Sequence, residues 1–481
     1  MKVLIYNWIP FDEKEMKGGG VTVYTKNLIK YLSNLTGIEV FFLSSGRAYN
    51  REVSYTYIEE TKNCLEEKCK SFQVVNSPVL SSAHISFCYP QDYLEDTVLK
   101  EVIGNFIKLQ GGFDVIHFQN LEGLSLSVLQ LKESFPDIKF LYSMHNYYPI
   151  CPQVMLWQRD SQNCQASDCG SCCIECMPDD VFKEKVICNQ RVAYDKEKYG
   201  FVSEEFLKEQ KEMQEFYQGK SFRDSLTFLE MKNLQKNFAR FRKESVACIN
   251  QYIDTVLVVS NRVGEIAMES GIIKEKLHLN YIGTEVANNQ RRTSQYVCQD
   301  GVLHIAYLGF MRKMKGLYIL LNILEELSED IAKKVIVTFG TKNSDSDAMK
   351  QIEKLKEKYY DIRFFDGYTH EELLQILEGV NLGIVPVLWE DNLPQVAIEM
   401  KANGIPILSS HLGGARELTK AEGFVFEAGN TKDFIDKLCR FVEKPEMLLE
   451  YWKKDLRLVT MEEHIQSLMN FYKGDSHEGV N

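Results

Sequence analysis

The stretch WEDNLPQVAIE (389–399), which continues as MKANGIPILSS (400–410), decides the fold of this chain. It follows the apolar run LGIVPVL (382–388), so the pattern predicts a strand, an acidic loop, a helix and a second strand. Pro394 suits the start of that helix, because its missing N–H would have no partner there. A strand that is apolar almost throughout is typical of a parallel sheet covered on both faces. The stretch therefore predicts an α/β fold.

The same alternation extends along most of the 481 residues. KVLIYNW (2–8), DVIHFQN (114–120) and LHIAYLGF (303–310) are further apolar strands, separated by segments with helical spacing. One hydrophobic core stops growing near about 250–300 residues, so we expect two doubly wound, Rossmann-like domains. The first predicted domain spans 1–290, with a Cys-rich insertion at about 151–176 and a helical insertion at about 179–251. The second predicted domain spans 300–455. A C-terminal helix and tail follow at 456–481, and this helix is able to cross back to the first domain.

Acidic residues outnumber basic ones by 68 to 56, for a formal net charge of -12. This balance opposes a broad phosphate-binding surface, so we expect no nucleic-acid partner. The chain opens on a short apolar run followed at once by charged residues, and no stretch reaches the roughly 18 apolar residues of a spanning helix. We therefore expect a cytoplasmic protein.

The segment 231–243 bears on membrane contact. Leu234, Phe238 and Phe241 share one helical face, and basic residues lie on the others. Packing of this apolar stripe inside the protein is the favoured interpretation. Peripheral contact with the anionic cytoplasmic face of the inner membrane is the alternative.

Asp391 and Glu399 are the first candidate site residues. Parallel sheets bind ligands outside the carboxyl ends of their strands, and Asp391 follows such an end while Glu399 lies in the next helix. Two carboxylates so placed can accept hydrogen bonds from the hydroxyls of a sugar and of a ribose. A helix-capping acid and a surface glutamate are the alternative.

Two further stretches are candidates for contact with phosphate groups. Arg312, Lys315 and Gly316 lie in a cationic turn between a strand and a helix, where a lysine can stabilise a departing diphosphate. Gly18-Gly19-Gly20 lies between the first strand and the first helix, where small residues let backbone amides approach a phosphate. A solvated basic loop and a flexible turn are the alternatives, and no G-x-G-x-x-G fingerprint is present.

His145 follows the apolar strand KFLYSM (139–144), at the kind of strand end where binding sites form, and is equally compatible with a structural role.

Six of the thirteen cysteines fall in the window 151–176. Thiolates at C-x-x-C spacing can fill the corners of a tetrahedral site, so we expect a structural zinc. An iron–sulfur cluster and ordinary reduced thiols are the alternatives. The predicted zinc ligands are Cys164, Cys169, Cys172 and Cys176.

Together these motifs resemble the retaining GT-B glycosyltransferases of family 4, also called group 1. The resemblance rests on Asp391, seven intervening residues, Glu399 and then Gly404-Ile405-Pro406, and on the Lys315-Gly316 pair. Asp391 departs from the glutamate that is more usual in the family, and Phe310 stands where an arginine is usual. The resemblance implies two domains facing each other across a cleft, the first binding mainly the acceptor and the second mainly the nucleotide sugar.

The resemblance also implies residue roles. Asp391 would contact the donor sugar, unless a shift in loop register brings Glu390 there, and Glu399 would contact the ribose. Lys315, Arg312 and the glycine loop would bind the diphosphate, and His145 would reach the donor sugar. The other implied donor-binding residues are Gly316, Asn392, Leu393 and Pro394.

The implied reaction transfers a sugar from a UDP- or GDP-sugar type donor to a hydroxyl of a carbohydrate or lipid-linked saccharide. The anomeric configuration would be retained, no cofactor would be required for the chemistry, and the product would belong to surface polysaccharide or lipopolysaccharide biosynthesis. A GT-B-fold nucleotide-sugar epimerase and a non-catalytic scaffold with a decayed donor site are the alternatives.

Overall fold

The computed structural model describes residues 1–12, 19–65, 68–164, 170–293, 301–369 and 372–474. The first part of the chain contains strands β1 (Lys2–Tyr6), β2 (Glu39–Ala48), β3 (Tyr57–Thr61), β4 (Cys69–Val75), β5 (Val115–Phe118), β6 (Lys139–Met144), β7 (Trp157–Gln158), β8 (Gln162–Asn163), β9 (Thr255–Val258) and β10 (Leu277–Leu279). The second part contains β11 (Leu303–Leu308), β12 (Val335–Thr341), β13 (Asp361–Asp366), β14 (Leu382–Val385), β15 (Ile407–Ser410) and β16 (Val425–Phe426).

Helices connect these strands and cover the sheets. They are α1 (Gly19–Leu32), α2 (Ala83–Ser86), α3 (Pro90–Glu95), α4 (Val98–Leu109), α5 (Leu131–Ser134), α6 (Lys183–Tyr199), α7 (Glu204–Tyr217), α8 (Phe228–Tyr252), α9 (Asn261–Glu269), α10 (Leu317–Glu326), α11 (Glu329–Ala332), α12 (Ser346–Leu355), α13 (Leu373–Ile376), α14 (Gln395–Ala402), α15 (Thr431–Glu443), α16 (Glu450–Lys453) and α17 (Met461–Lys473).

The two large sheets share one strand order. The eight-stranded sheet runs β10-β9-β6-β5-β1-β2-β4-β3 and the six-stranded sheet runs β13-β12-β11-β14-β15-β16. In these sheets the pairs are parallel except for β3 with β4. The order reverses between β1 and β5 in the first sheet and between β11 and β14 in the second, and doubly wound sheets bind ligands at such a switch point. The predicted fold of two doubly wound, Rossmann-like bodies is confirmed.

The strands that flank the second switch point are buried along their whole length. LHIAYL in β11 and LGIV in β14 are fully buried, as strands covered by helices on both faces must be. The one imidazole among them, that of His304, is satisfied by the Thr338 hydroxyl, with 2.8 Å between Nε2 and Oγ1. The polar loops therefore begin where these strands end.

Helix α17 packs on the first body, although it follows the second in sequence. Ile465, Leu468 and Tyr472 are buried among residues of β1 and α1. The Tyr472 hydroxyl lies 2.8 Å from His117 Nδ1, and His464 Nε2 lies 2.6 Å from the Tyr24 hydroxyl. The C-terminal helix is thus part of the first core.

The apolar stripe of the helical insertion lies inside the protein. Leu234, Phe238 and Phe241, all in α8, are at most 7% exposed. The membrane-contact interpretation of this stripe is wrong, because its side chains pack against the core. Among the residues that the structure describes, no helix is long and apolar enough to span a bilayer.

Leu468→Ala should lower the free energy of unfolding by about 2–5 kcal/mol, because it removes a fully buried side chain between α17 and the first sheet. Leu109→Ala is the matched control: Leu109 is 83% exposed, and its loss should change stability by less than about 0.5 kcal/mol. Urea unfolding monitored by circular dichroism measures both. Equal effects would mean that α17 adds nothing to the core.

Candidate active site

A cavity of about 630 Å³ lies between the two bodies, at the switch point of the second sheet. The loops after β11 and β14 form one wall, and the start of α1 and the loop after β6 form the other. The second body contributes, among others, Gly309, Lys315, Lys342, Trp389, Asp391, Asn392, Leu393, Pro394 and Glu399, and the first contributes Gly19, Gly20, Tyr24, His145, Asn146 and Met155. Most of the predicted site residues therefore line one space.

Two predicted residues lie elsewhere, and a third is outside the described part of the chain. Arg312 lines a neighbouring cavity. Gly316 lies beneath the cationic turn, against the loop after β14. Gly18 lies outside the described residues.

An ion pair between Lys315 and Asp391 joins the two loops of the second body. Lys315 Nζ lies 2.6 Å from Asp391 Oδ2 and 5.2 Å from the centre of the Trp389 ring. The two side chains are 27% and 10% exposed, so the pair is partly desolvated and faces the cavity. An incoming anion can therefore compete with Asp391 for the lysine, while Asp391 can turn to a ligand hydroxyl.

Gly316 sets the position of Lys315. Its φ of +81° is in the left-handed region, and a Cβ added there would lie 1.8 Å from the carbonyl oxygen of Pro386. Glycine is thus required both by the backbone conformation and by the close approach of the loop after β14. The turn can rest on that loop only in this form, which directs Lys315 toward Asp391.

Glu390 points away from the cavity. Its carboxylate accepts hydrogen bonds from Arg262 Nη2 (2.8 Å) and Nε (3.1 Å), and from the backbone N–H of Gly413 (2.9 Å). Asp391, and not Glu390, lines the cavity. The loop register thus favours Asp391 as the acid that meets a ligand, while its role stays a prediction.

Glu399 lies inside α14 and is 6% exposed. Desolvation by burial raises the pKa of its carboxyl to about 7. Gln395, one turn earlier, donates from Nε2 to the carbonyl of Gly20 (3.1 Å), so this helix also holds the glycine loop of the first body.

His145 is a neutral polar group in the wall of the cavity. Burial, with a smaller effect from His464, lowers the pKa of its imidazole to about 3. Nε2 lies 2.9 Å from Gln119 Oε1, and the ring lies 4.7 Å from that of Tyr24. His145 can therefore exchange hydrogen bonds with a ligand but carries no charge near neutral pH.

Contacts between the bodies that the sequence analysis missed hold the acidic loop. The Glu417 carboxylate accepts hydrogen bonds from the N–H groups of Asn261 (2.9 Å) and Arg262 (2.8 Å), at the first turn of α9. The Ser260 hydroxyl donates to the carbonyl of Asn392 (2.8 Å). The start of one helix in the first body thus contacts Glu417 and also holds Glu390 and Asn392, the residues on either side of Asp391, through Arg262 and Ser260. No local pattern could reveal these pairs, which join residues far apart in the chain.

The thiols of the cysteine window surround a guanidinium. Arg242 Nη2 donates to Cys164 Sγ (3.5 Å) and Cys173 Sγ (3.4 Å). Within the described part of the window, no group of three His, Cys, Asp or Glu side chains is arranged to hold a metal ion, and Cys169 lies outside that part. Cys164, Cys172 and Cys176 alone do not form the predicted zinc site, so zinc binding stays a prediction that depends on Cys169.

Gly316→Ala should lower the free energy of unfolding by about 1–3 kcal/mol more than Gly429→Ala, because only the first places a methyl group against the Pro386 carbonyl. Both glycines have φ +81°, and no atom lies within 4 Å of a Cβ at Gly429, so the pair separates the contact from the backbone cost. Thermal and urea unfolding measure both variants. Equal losses would show that the loop after β14 tolerates the methyl group.

Glu399→Gln should change how stability depends on pH. Between pH 4.5 and about 7 the unfolded chain ionises Glu399 while the folded chain keeps the proton, so wild-type stability falls with rising pH relative to the variant, by up to about 3 kcal/mol. Above about pH 7 the difference should level off. Urea unfolding at a series of pH values measures it. Burial also raises the pKa of Glu122 to about 7, but both proteins share that group, so it cancels. A difference that stays constant with pH would contradict the shift.

Comparison with known proteins agrees with this geometry. Residues 303–444 match the family Glycosyl transferases group 1. Spore coat protein SA from Bacillus subtilis is 23% identical over 235 residues, 44% of this chain, and the chain spans 62% of the length of that curated relative.

Two solved structures resemble the whole chain. Sucrose-phosphate synthase from Thermosynechococcus elongatus is 14% identical, with 98% of each chain covered and a TM-score of 0.57. Anabaena HepE in complex with UDP-glucose is 11% identical, with 98% of this chain and 100% of that chain covered and a TM-score of 0.54. At such identities the likeness establishes the fold alone. Residues 303–444 thus match the group 1 glycosyltransferase family, and the two Rossmann-like bodies around one cavity have the GT-B fold.

Proposed function

We propose that this protein transfers a sugar from a nucleotide-sugar donor to an acceptor hydroxyl, with retention of the anomeric configuration. One observation carries the proposal: the Lys315–Asp391 pair, Glu399 and the glycines at the start of α1 line one cavity at a switch point. These groups suit the diphosphate, sugar hydroxyls and ribose of such a donor.

The charges of the cavity support a diphosphate leaving group. Lys315 and Lys342 both line it, the second at the end of β12 where the sequence analysis had not singled it out. Backbone amides near Gly19 and Gly20 lie across the cavity, at the N-terminus of α1. As the bond from the anomeric carbon to the phosphate oxygen breaks, these groups would take up the negative charge that develops.

Front-face attack is the pathway that we propose, with Asp391 and Glu399, the carboxylates that line this cavity, assigned to sugar hydroxyls and to the ribose. Retention through a covalent intermediate needs a carboxylate beside the anomeric carbon. Among the described lining residues of the first body, none is Asp or Glu. The acceptor oxygen would form its bond on the face that the diphosphate leaves, and its proton would pass to a phosphate oxygen. His145 would hold the donor sugar as a neutral hydrogen-bonding group.

A UDP-sugar is the first donor to test, since HepE binds UDP-glucose in a similar fold. A carbohydrate or lipid-linked saccharide is the acceptor class, and surface polysaccharide or lipopolysaccharide biosynthesis in the cytoplasm is the process that we propose.

The wild type is tested with UDP-glucose and a panel of other UDP-, GDP-, ADP- and dTDP-sugars. One of these classes of nucleotide sugar should raise its melting temperature. Lys315→Ala should weaken binding of that class by roughly ten- to a hundredfold, because it removes a charge-assisted hydrogen bond to phosphate. Glu399→Ala should also weaken binding of that class. Lys333 directly follows α11 and is 66% exposed, and Lys333→Ala should leave this binding unchanged. Thermal shift and calorimetric titration measure these effects.

Three results would contradict the proposal in different ways. No shift with any nucleotide sugar would favour a scaffold. Conversion of the donor sugar without an acceptor would favour an epimerase. If proton NMR shows that the first product has the inverted anomeric configuration, retention is overturned, but the proposal of sugar transfer is not.

A further inference from the structure

A second cavity, of about 820 Å³, adjoins the donor cavity, and Met155 lines both. One side is the β7–β8 hairpin of the first body, with Trp157, Arg159 and Asp160. The opposite side is the turn after β11 and the start of α10 in the second body. There the lining residues are Met311, Arg312, Lys313, Met314 and Tyr318. The second cavity thus borders the donor cavity at Met155 and is built by both bodies.

Positive charge is in excess in this cavity. Arg159 pairs with Glu175, and Lys313 Nζ lies 3.5 Å from Asp160 Oδ2. Arg312 is exposed, and within the described ranges it has no carboxylate partner. The guanidinium carbon of Arg312 lies 5.9 Å from the centre of the Phe310 ring. Arg312 therefore offers a guanidinium whose hydrogen bonds a ligand can take up.

The hairpin that forms this wall has a strained backbone. Val154, Leu156, Arg159 and Asp160 have φ between +49° and +68°, a region that non-glycine residues rarely adopt. Such residues persist where surrounding contacts or function require them. Here the Trp157 indole donates to Asp160 Oδ1 (3.1 Å), and Asn163 Nδ2 donates to the carbonyl of Leu388 (2.9 Å) in the second body. The hairpin is thus held opposite Arg312, with Met155 between this cavity and the donor cavity.

We propose that the second cavity is the acceptor subsite and that it takes an anionic saccharide, one that carries a carboxylate or a phosphate. Arg312 binds the anionic group, and Trp157, Met311 and Tyr318 line the space for the sugar ring. Because Met155 lines both cavities, an acceptor bound in the second cavity would have its hydroxyl beside the donor cavity. This inference rests on the proposed function. It assigns Arg312 to the acceptor. Of the residues in the cationic turn, Lys315 is then the one assigned to the donor.

Protection of Arg312 from an arginine-directed reagent tests the assignment. The wild type is treated with phenylglyoxal in the presence of saturating UDP, and modification of Arg312 and Arg363 is followed by peptide mass spectrometry. Arg363 is the control, because it is 45% exposed on β13 and lines neither cavity. Separate samples then receive glucose, glucose 6-phosphate, glucuronate or inorganic phosphate, and two further samples, with and without UDP, receive no sugar or phosphate.

Glucose 6-phosphate or glucuronate should slow modification of Arg312 roughly tenfold at a concentration about ten times its Kd, while glucose should not, and Arg363 should react at one rate throughout. The two acids distinguish a phosphate-bearing from a carboxylate-bearing acceptor. Arg312→Gln should abolish the thermal shift that the effective acid causes and keep the shift caused by UDP, whereas Arg363→Gln should keep both.

Equal rates in all sugars would overturn the subsite. Protection by inorganic phosphate equal to that by glucose 6-phosphate would overturn the assignment to a saccharide. Protection by UDP alone would place Arg312 at the donor diphosphate instead. If UDP causes no thermal shift in the wild type, the proposed function itself fails. That result is distinct from the three outcomes above, which concern the acceptor subsite.

Discussion

The close approach of Gly316 to the Pro386 carbonyl is the constraint on which the site depends. Parallel pairing brings β11 and β14 side by side, so the turn after one must pack on the loop after the other. With no side chain and a left-handed φ at Gly316, the turn can lie directly on that carbonyl. Lys315 then reaches Asp391 at 2.6 Å, and the strand order is converted into a charged pair facing a cavity.

The first body completes this arrangement from the other side. Glu417 accepts hydrogen bonds at the N-terminus of α9, where backbone N–H groups lack partners in the helix, and Ser260 and Arg262 hold the residues on either side of Asp391. A rotation of one body against the other would break these contacts together. The position of Asp391 therefore depends on how the two bodies pack together, as does the width of the cavity.

Local pattern predicted the fold and the second body's share of the site, because both follow from strand ends. Asp391, Lys315 and Glu399 could be found in this way, since each lies just after or beside an apolar strand. The partners Arg262, Glu417 and Gln119 could not, because their contacts join segments far apart in sequence and no spacing encodes them. Arg312 shows a second limit: a short turn separates it from Lys315, so two cations three residues apart face different cavities.

The titration of the cavity wall also follows from burial and bears on mechanism. Desolvation keeps His145 neutral, and it raises the pKa of Glu399 to about 7, so neither group holds a full charge through the neutral range. The positive charge in the described wall then comes from Lys315 and Lys342, both in the second body. Under the proposed function this distribution favours an anionic leaving group on that side, while the described wall of the first body holds no carboxylate that could form a covalent intermediate. Under the proposed function Arg312, which lines the neighbouring cavity, is not needed at the donor, so we assign it to the acceptor.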